Sequence, residues 1–140
     1  MLLSEDAVKN AVLAYLGEIK YRPIAIKTIT ECGVDIVAKH IKYGRYFHIE
    51  VKGDPPKNVV SVNSGREVRF VLSLGQLLTR INPDRDYRYG LAYPTSYRKL
   101  VLRRLKYPSL LKELKIHLFF VNEKRRVEHL TWKDLKSISK

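Results

Sequence analysis

Cysteine is nearly missing from this 140-residue chain: the single Cys32 excludes an intrachain disulfide. With His40, His48, His117 and His129 scattered, it leaves no zinc-ligand spacing. Long apolar runs are missing too. None approaches the roughly 20 residues that cross a bilayer, and "MLLSEDAV" turns acidic before a signal-like core develops. A cytoplasmic protein with no membrane partner is therefore expected. Acidic side chains are few, 14 against 27 Lys and Arg, for a formal charge of +13. Such an excess calls for a polyanionic partner, most simply nucleic acid. No zinc finger, coiled coil or glycine-rich nucleotide loop points elsewhere.

Hydrophobic residues at 45% and charged residues at 29% suit a globular chain, and the length suits one domain spanning 1–140. The charge is uneven. Residues 1–70 carry +3 and residues 71–140 carry +10.

Ser4 is placed to cap a helix beginning at Glu5, with Val8, Ala11, Val12, Tyr15, Leu16 and Ile19 on one buried face. "PIAIKTITE" reads as an extended linker or short strand. "GVDIVAKHI" and "YFHIEVKG" read as antiparallel strands about the turn "KYGR". Pro55 and Pro56 end the second of these and open a loop. Ser64 with Glu67 has the form of a capping box, predicting a helix over 65–81 that stops at "NPDRD". "YRYGLAYP" reads as a short buried strand. Thr95 or Ser96 can cap "YRKLVLRRLKY", which ends before Pro108. "KIHLFFV" is apolar enough for a central strand, "VEHLTW" reads as a shorter one, and the tail as a half-formed helix. The expected class is α/β, with helices over a mixed central sheet.

Alternation along "YFHIEVKGD" sends Phe47, Ile49 and Val51 to the core and His48, Glu50 and Lys52 to the other face. In an antiparallel pair, Asp35 then faces Glu50 or Lys52, depending on where the turn centres. Either register brings the three within about 5–8 Å. Two carboxylates that close suit a hard cation, Mg²⁺ or Mn²⁺, with the Val51 carbonyl as a further oxygen donor. Lys52 has no lone pair for a metal while protonated; its ammonium suits an attacking water or negative charge on phosphate.

In this arrangement, "GVDIVAKH…YFHIEVKG" resembles the PD-(D/E)XK, or restriction-endonuclease-like, nuclease superfamily, with Asp35 in the first motif position and Glu50-Val51-Lys52 in the second. It is most similar to the Mrr-like and archaeal Holliday-junction-resolvase-like branches. The resemblance implies an αβββαβ core, one or two Mg²⁺, hydrolysis of DNA phosphodiesters and a homodimer. It also implies a helix-borne glutamate, matched by Glu5 with Asp6 and Glu18 as rivals, and a helical glutamine, matched by Gln76. No proline precedes Asp35. Arg69, Ser73, Gln76 and Arg80 share one stripe of that helix. Arg98, Lys99, Arg103, Arg104 and Lys106, followed by Lys112 and Lys115 and relieved only by Glu113, form the expected DNA-backbone contact together with Lys52, Arg69 and Arg80. The rival expectation is a non-catalytic DNA-binding or assembly module on the same fold. RNA or a mobile-element transaction shares the chemistry.

Overall fold

The computed structural model describes residues 2–26, 34–56, 62–81 and 86–138. Cys32, most of the loop after Pro56 and the "NPDR" helix stop lie outside the described residues. The chain runs α1 (Glu5–Glu18), β1 (Tyr21–Ile26), β2 (Val34–His40), β3 (Tyr46–Val51), α2 (Val62–Thr79), β4 (Tyr87–Pro94), α3 (Arg98–Arg104), α4 (Pro108–Leu114), β5 (Ile116–Val121), β6 (Val127–Leu130) and α5 (Trp132–Ile138), with a single 3₁₀ turn over Thr95–Tyr97 before α3. The opening α1β1β2β3α2β4 follows the αβββαβ order of the restriction-endonuclease-like core.

The six strands form one mixed sheet in the order β1-β2-β3-β4-β5-β6. β1 pairs antiparallel with β2 and β2 antiparallel with β3, while β3, β4 and β5 run parallel, and β6 closes antiparallel on β5. Parallel neighbours need crossovers, and α2 supplies one while α3 and α4 supply the next. "IHLFFV" becomes β5, flanked on both sides and buried at five of its six positions.

Two apolar layers sandwich the sheet. On one face α1 buries Val8, Val12 and Leu16 against Ile36, Phe47, Ile49, Val51, Phe119 and Val121. Each such side chain contributes on the order of 1.5–3 kcal/mol by leaving water. Ser4 caps α1, its Oγ accepting from the Ala7 N–H at 3.1 Å. On the other face α2, α3, α4 and α5 enclose Phe70, Leu77, Tyr93, Tyr97, Val101, Leu111, Leu118 and Phe120. Tyr89, Tyr93 and Tyr97 are buried here, so most tyrosines of the basic half are core. No helix among the described residues is long and apolar enough to cross a membrane.

Three local expectations are corrected. α2 starts at Val62, which puts Ser64 inside the helix rather than at its cap. Tertiary packing of an apolar face stabilises helix ends more than a local capping pair does. Ser96 caps nothing: its Oγ donates to Asp54 Oδ1 at 2.6 Å. Pro108, read as a stop, opens α4, since a missing N–H costs nothing at a first helical position.

Candidate active site

The hairpin register pairs Asp35 with Glu50 across β2 and β3, as expected for a turn centred between Lys42 and Tyr43. Of Asp35 the structure describes the backbone, and register places residue 35 on the Glu50 face of the sheet. Phe47, Ile49 and Val51 enter the α1 layer, and Glu50 points to the α2 side with 0% exposure. A fully buried carboxylate is costly unless compensated. Arg80, just past the last turn of α2, donates from Nη1 to Glu50 Oε1. His48 Nε2 stands 3.6 Å from the same oxygen.

The polar stripe of α2 lines this space. Ser73 and Tyr93 share a buried hydroxyl–hydroxyl hydrogen bond. Burial first, and the nearby Glu50 charge, raise the Tyr93 hydroxyl above the ordinary phenol range, so it stays protonated; the Ser73 bond opposes this. Gln76 aims its Oε1 into the interior, where that atom has no hydrogen-bond partner among the described residues. Arg69 turns back on its own helix, Nη1 to the Gly65 carbonyl at 3.4 Å.

At the carboxyl end of β3, Lys52 is half-buried and its backbone N–H donates to the Ala92 carbonyl at 3.1 Å. Gly53 is a point of close approach. A methyl there would overlap the Glu5 nitrogen and sit 2.6 Å from the Ser4 carbonyl carbon. The approach that Gly53 permits is therefore to the start of α1. Its carbonyl accepts from Tyr97 Oη at 2.6 Å. Glu5 stands beside the end of β3 through its backbone, but α1 covers the face opposite Glu50. Asp6 and Glu18 are exposed.

Sequence reasoning missed Asp54. Its buried carboxylate accepts from the Leu3 N–H at 2.9 Å, Arg66 Nε at 3.0 Å and Ser96 Oγ at 2.6 Å, tying together the N-terminus, α2 and the turn before α3. Only partners far apart in sequence reveal it.

The basic segment differs from the expectation. Arg98 pairs with Glu128 at 2.7 Å, and Arg104 and Arg103 reach Glu67 at 2.6 and 3.4 Å. Glu113 is therefore not its sole relief, because the fold imports two more carboxylates. Lys99 and Lys106 are exposed and make no ion pair among the described residues.

A second missed feature lies under α1. Tyr15 Oη and His129 Nδ1 are 2.7 Å apart, as are His129 Nε2 and His117 Nδ1. Both imidazoles are neutral at pH 7, because burial disfavours their charged forms. Burial, then the neighbouring His129, pushes His117 down to about 3, and burial pushes His129 down to about 4. An unfolded chain protonates both near pH 6.5, so it binds more protons than the native state below that pH. The stability this pair contributes is full above about pH 6.5 and declines as the pH falls toward 3, by several kcal/mol at about 1.36 kcal/mol per pKa unit. Urea midpoints measured between pH 7 and 4 should fall accordingly, with a shallower decline in His129→Gln.

The donors suit a hard cation in kind: a buried carboxylate, the adjoining Val51 carbonyl and an aspartate at the position of β2 registered with Glu50. Among the described residues, no three His, Cys, Asp or Glu side chains gather into a metal-holding group. The positive charge beside Glu50 comes from Arg80, and a divalent ion at Glu50 Oε1 has to displace it.

Fold and site together define an α/β protein whose mixed six-stranded sheet ends β3 in a buried, cation-matched carboxylate followed by a lysine. Among solved structures, the chain is similar to an XisH family protein from Nostoc punctiforme, at 18% identity and TM-score 0.50, covering 88% of this chain and 97% of that one. It is also similar to an fdxN element excision controlling factor protein from Anabaena variabilis, at 20% identity and TM-score 0.50, covering 88% and 96%. These likenesses are of fold. No family model matches the sequence, and neither does any curated protein.

Proposed function

We propose that this protein is a Mg²⁺-dependent DNA endonuclease that hydrolyses phosphodiester bonds, with Mn²⁺ able to substitute and branched or otherwise structured DNA as a candidate substrate. One observation carries the reading: Glu50 is fully buried on the polar face of β3, in register with Asp35, two residues before Lys52 and against a cation. An uncompensated carboxylate would not persist there, so the site is built to hold positive charge.

Asp35, Glu50 and the Val51 carbonyl would hold the ion, with Glu5 as the helix-borne addition. When bound, the ion supplies Lewis-acid polarisation of the phosphate and eases deprotonation of water. Lys52 orients the attacking water through its ammonium donors and stabilises negative charge growing on the phosphate. Gln76, with an unsatisfied buried carbonyl, orients water or substrate by accepting a hydrogen bond. Arg80, released from Glu50, can pair with phosphate. The homodimer implied by the resemblance belongs to the same proposal. Val68, Val71, Leu72 and Leu78 lie exposed along α2, forming an uncharged face on which two strongly basic chains can meet.

The deciding assay incubates purified protein with branched, linear, methylated and single-stranded DNAs, with Mg²⁺, Mn²⁺ or chelator. Cleavage of at least one substrate with metal, and of none with chelator, is expected. No cleavage of any substrate would reject the enzyme.

The Arg80–Glu50 contact favours one rival, a non-catalytic DNA-binding or assembly module in which Arg80 permanently replaces a metal. A structural neighbour named for controlling excision of a DNA element is compatible with it. Binding without cleavage would identify that case.

A further inference from the structure

The basic residues do not form one stripe along α3. Between α2 and α3 runs an open cleft of about 390 Å³, lined by Ser64, Arg66, Glu67, Ser96, Lys99 and Arg103 among others. Arg66 and Ser96 also line a neighbouring cavity of about 430 Å³ whose wall includes Asp54, two residues beyond Lys52. The two hollows thus share Arg66 and Ser96 as a common wall, and Asp54 in the second stands two residues along the chain from Lys52. Of the three cations of the cleft, Arg66 is paired with Asp54 at 3.0 Å, and Glu67 holds Arg103 at 3.4 Å together with the adjoining Arg104 at 2.6 Å.

We propose that this cleft holds the sugar-phosphate backbone of the nucleic-acid strand that reaches the β3 site, and that Glu67 is an internal competitor for its phosphates. The proposal rests on the nucleic-acid reading but not on cleavage. A carboxylate and a phosphate present similar paired oxygens to a guanidinium fork. The Glu67 contacts are half exposed, with Arg103 and Arg104 side chains 65% and 54% accessible, so exchanging one anion for another costs little. Arg104 and Arg103 hydrogen-bonding and charge pull the Glu67 carboxyl below its usual range, so it remains an anionic competitor at neutral pH. Lys99, with no internal partner among the described residues, is ready for phosphate without any such exchange. Duplex and single strand share this backbone chemistry, and the probes separate them.

The test is fluorescence anisotropy with a labelled duplex and the matching single strand, titrated with salt and without divalent ions. Lys99→Ala with Arg103→Ala should weaken binding by about tenfold or more and lower the salt slope by one to two, since each lost phosphate contact removes about one released counterion. Glu67→Gln should strengthen binding several-fold, an effect that a purely structural Glu67 would not produce. Lys133→Ala with Lys136→Ala, removing the same charge from α5, should cost less than half of that loss. Lys99, Arg103, Lys133 and Lys136 are exposed and Glu67 is half-exposed, and unchanged melting temperatures confirm that the variants fold. Equal losses from the two lysine or arginine pairs, or unchanged or weaker binding by Glu67→Gln, would overturn the proposal. The outcome is independent of catalysis: cleft-dependent binding with no nicking leaves the cleft and removes the nuclease.

Discussion

Asp35→Asn is expected to lower divalent-ion-dependent cleavage by about three orders of magnitude while leaving DNA affinity within about twofold. The substitution keeps nearly the same volume and removes one negative charge from the position registered with Glu50. A hard cation held by two carboxylates loses several kcal/mol of attraction when one becomes a neutral amide, and each 1.36 kcal/mol lost from transition-state stabilisation is tenfold in rate. In the proposed reading, backbone affinity rests mainly on the cations of the α2–α3 cleft, which this change does not touch. Single-turnover cleavage and anisotropy on one DNA separate the two quantities. Full cleavage by the variant would remove Asp35 from the chemistry.

Arg80→Met tests the other half of the site. Taking the guanidinium away leaves the buried Glu50 carboxylate with weaker compensation from His48, 3.6 Å away. Breaking a buried ion pair by removing one partner costs about 3–5 kcal/mol, so the metal-free variant should melt several degrees lower. Mg²⁺ then acts in opposite senses for the two readings. If Glu50 is a metal ligand, the ion no longer has to displace Arg80, and 10 mM Mg²⁺ (roughly a concentration that saturates weak sites) should raise the melting temperature of the variant more than that of the parent. If Arg80 is a permanent substitute for a metal, Mg²⁺ should do no more than a monovalent salt of equal ionic strength. The readout is thermal, so it does not require activity.

Much of the fold was legible in the sequence because local rules decided it. Ser4 announced α1 through its cap, and the period-two pattern of Tyr46–Val51 assigned faces to every residue of β3. Pro108 misled because a proline can end one helix or open the next, and only the seating of Leu111 in the core distinguishes these. The site was legible in part. Glu50 and Lys52 stand out as polar residues in an apolar strand, whereas Asp54 looks like an ordinary turn residue until Leu3, Arg66 and Ser96 converge on it.

Composition, periodicity and capping by themselves determined the α/β class, the opening helix and the β2–β3 hairpin, the basic excess and the side of β3 on which Glu50 stands. These depend on alternation and on interactions a few residues apart. Only the tertiary structure decided which cation meets Glu50, that Glu67 and Glu128 tether the arginines of α3, and that Tyr15, His129 and His117 form one buried chain. Each of those pairings joins residues separated by 12 to 114 positions, and burial multiplies the cost of leaving such groups unmatched. Partner choice at that range is set by packing of the whole sheet, which no local pattern encodes.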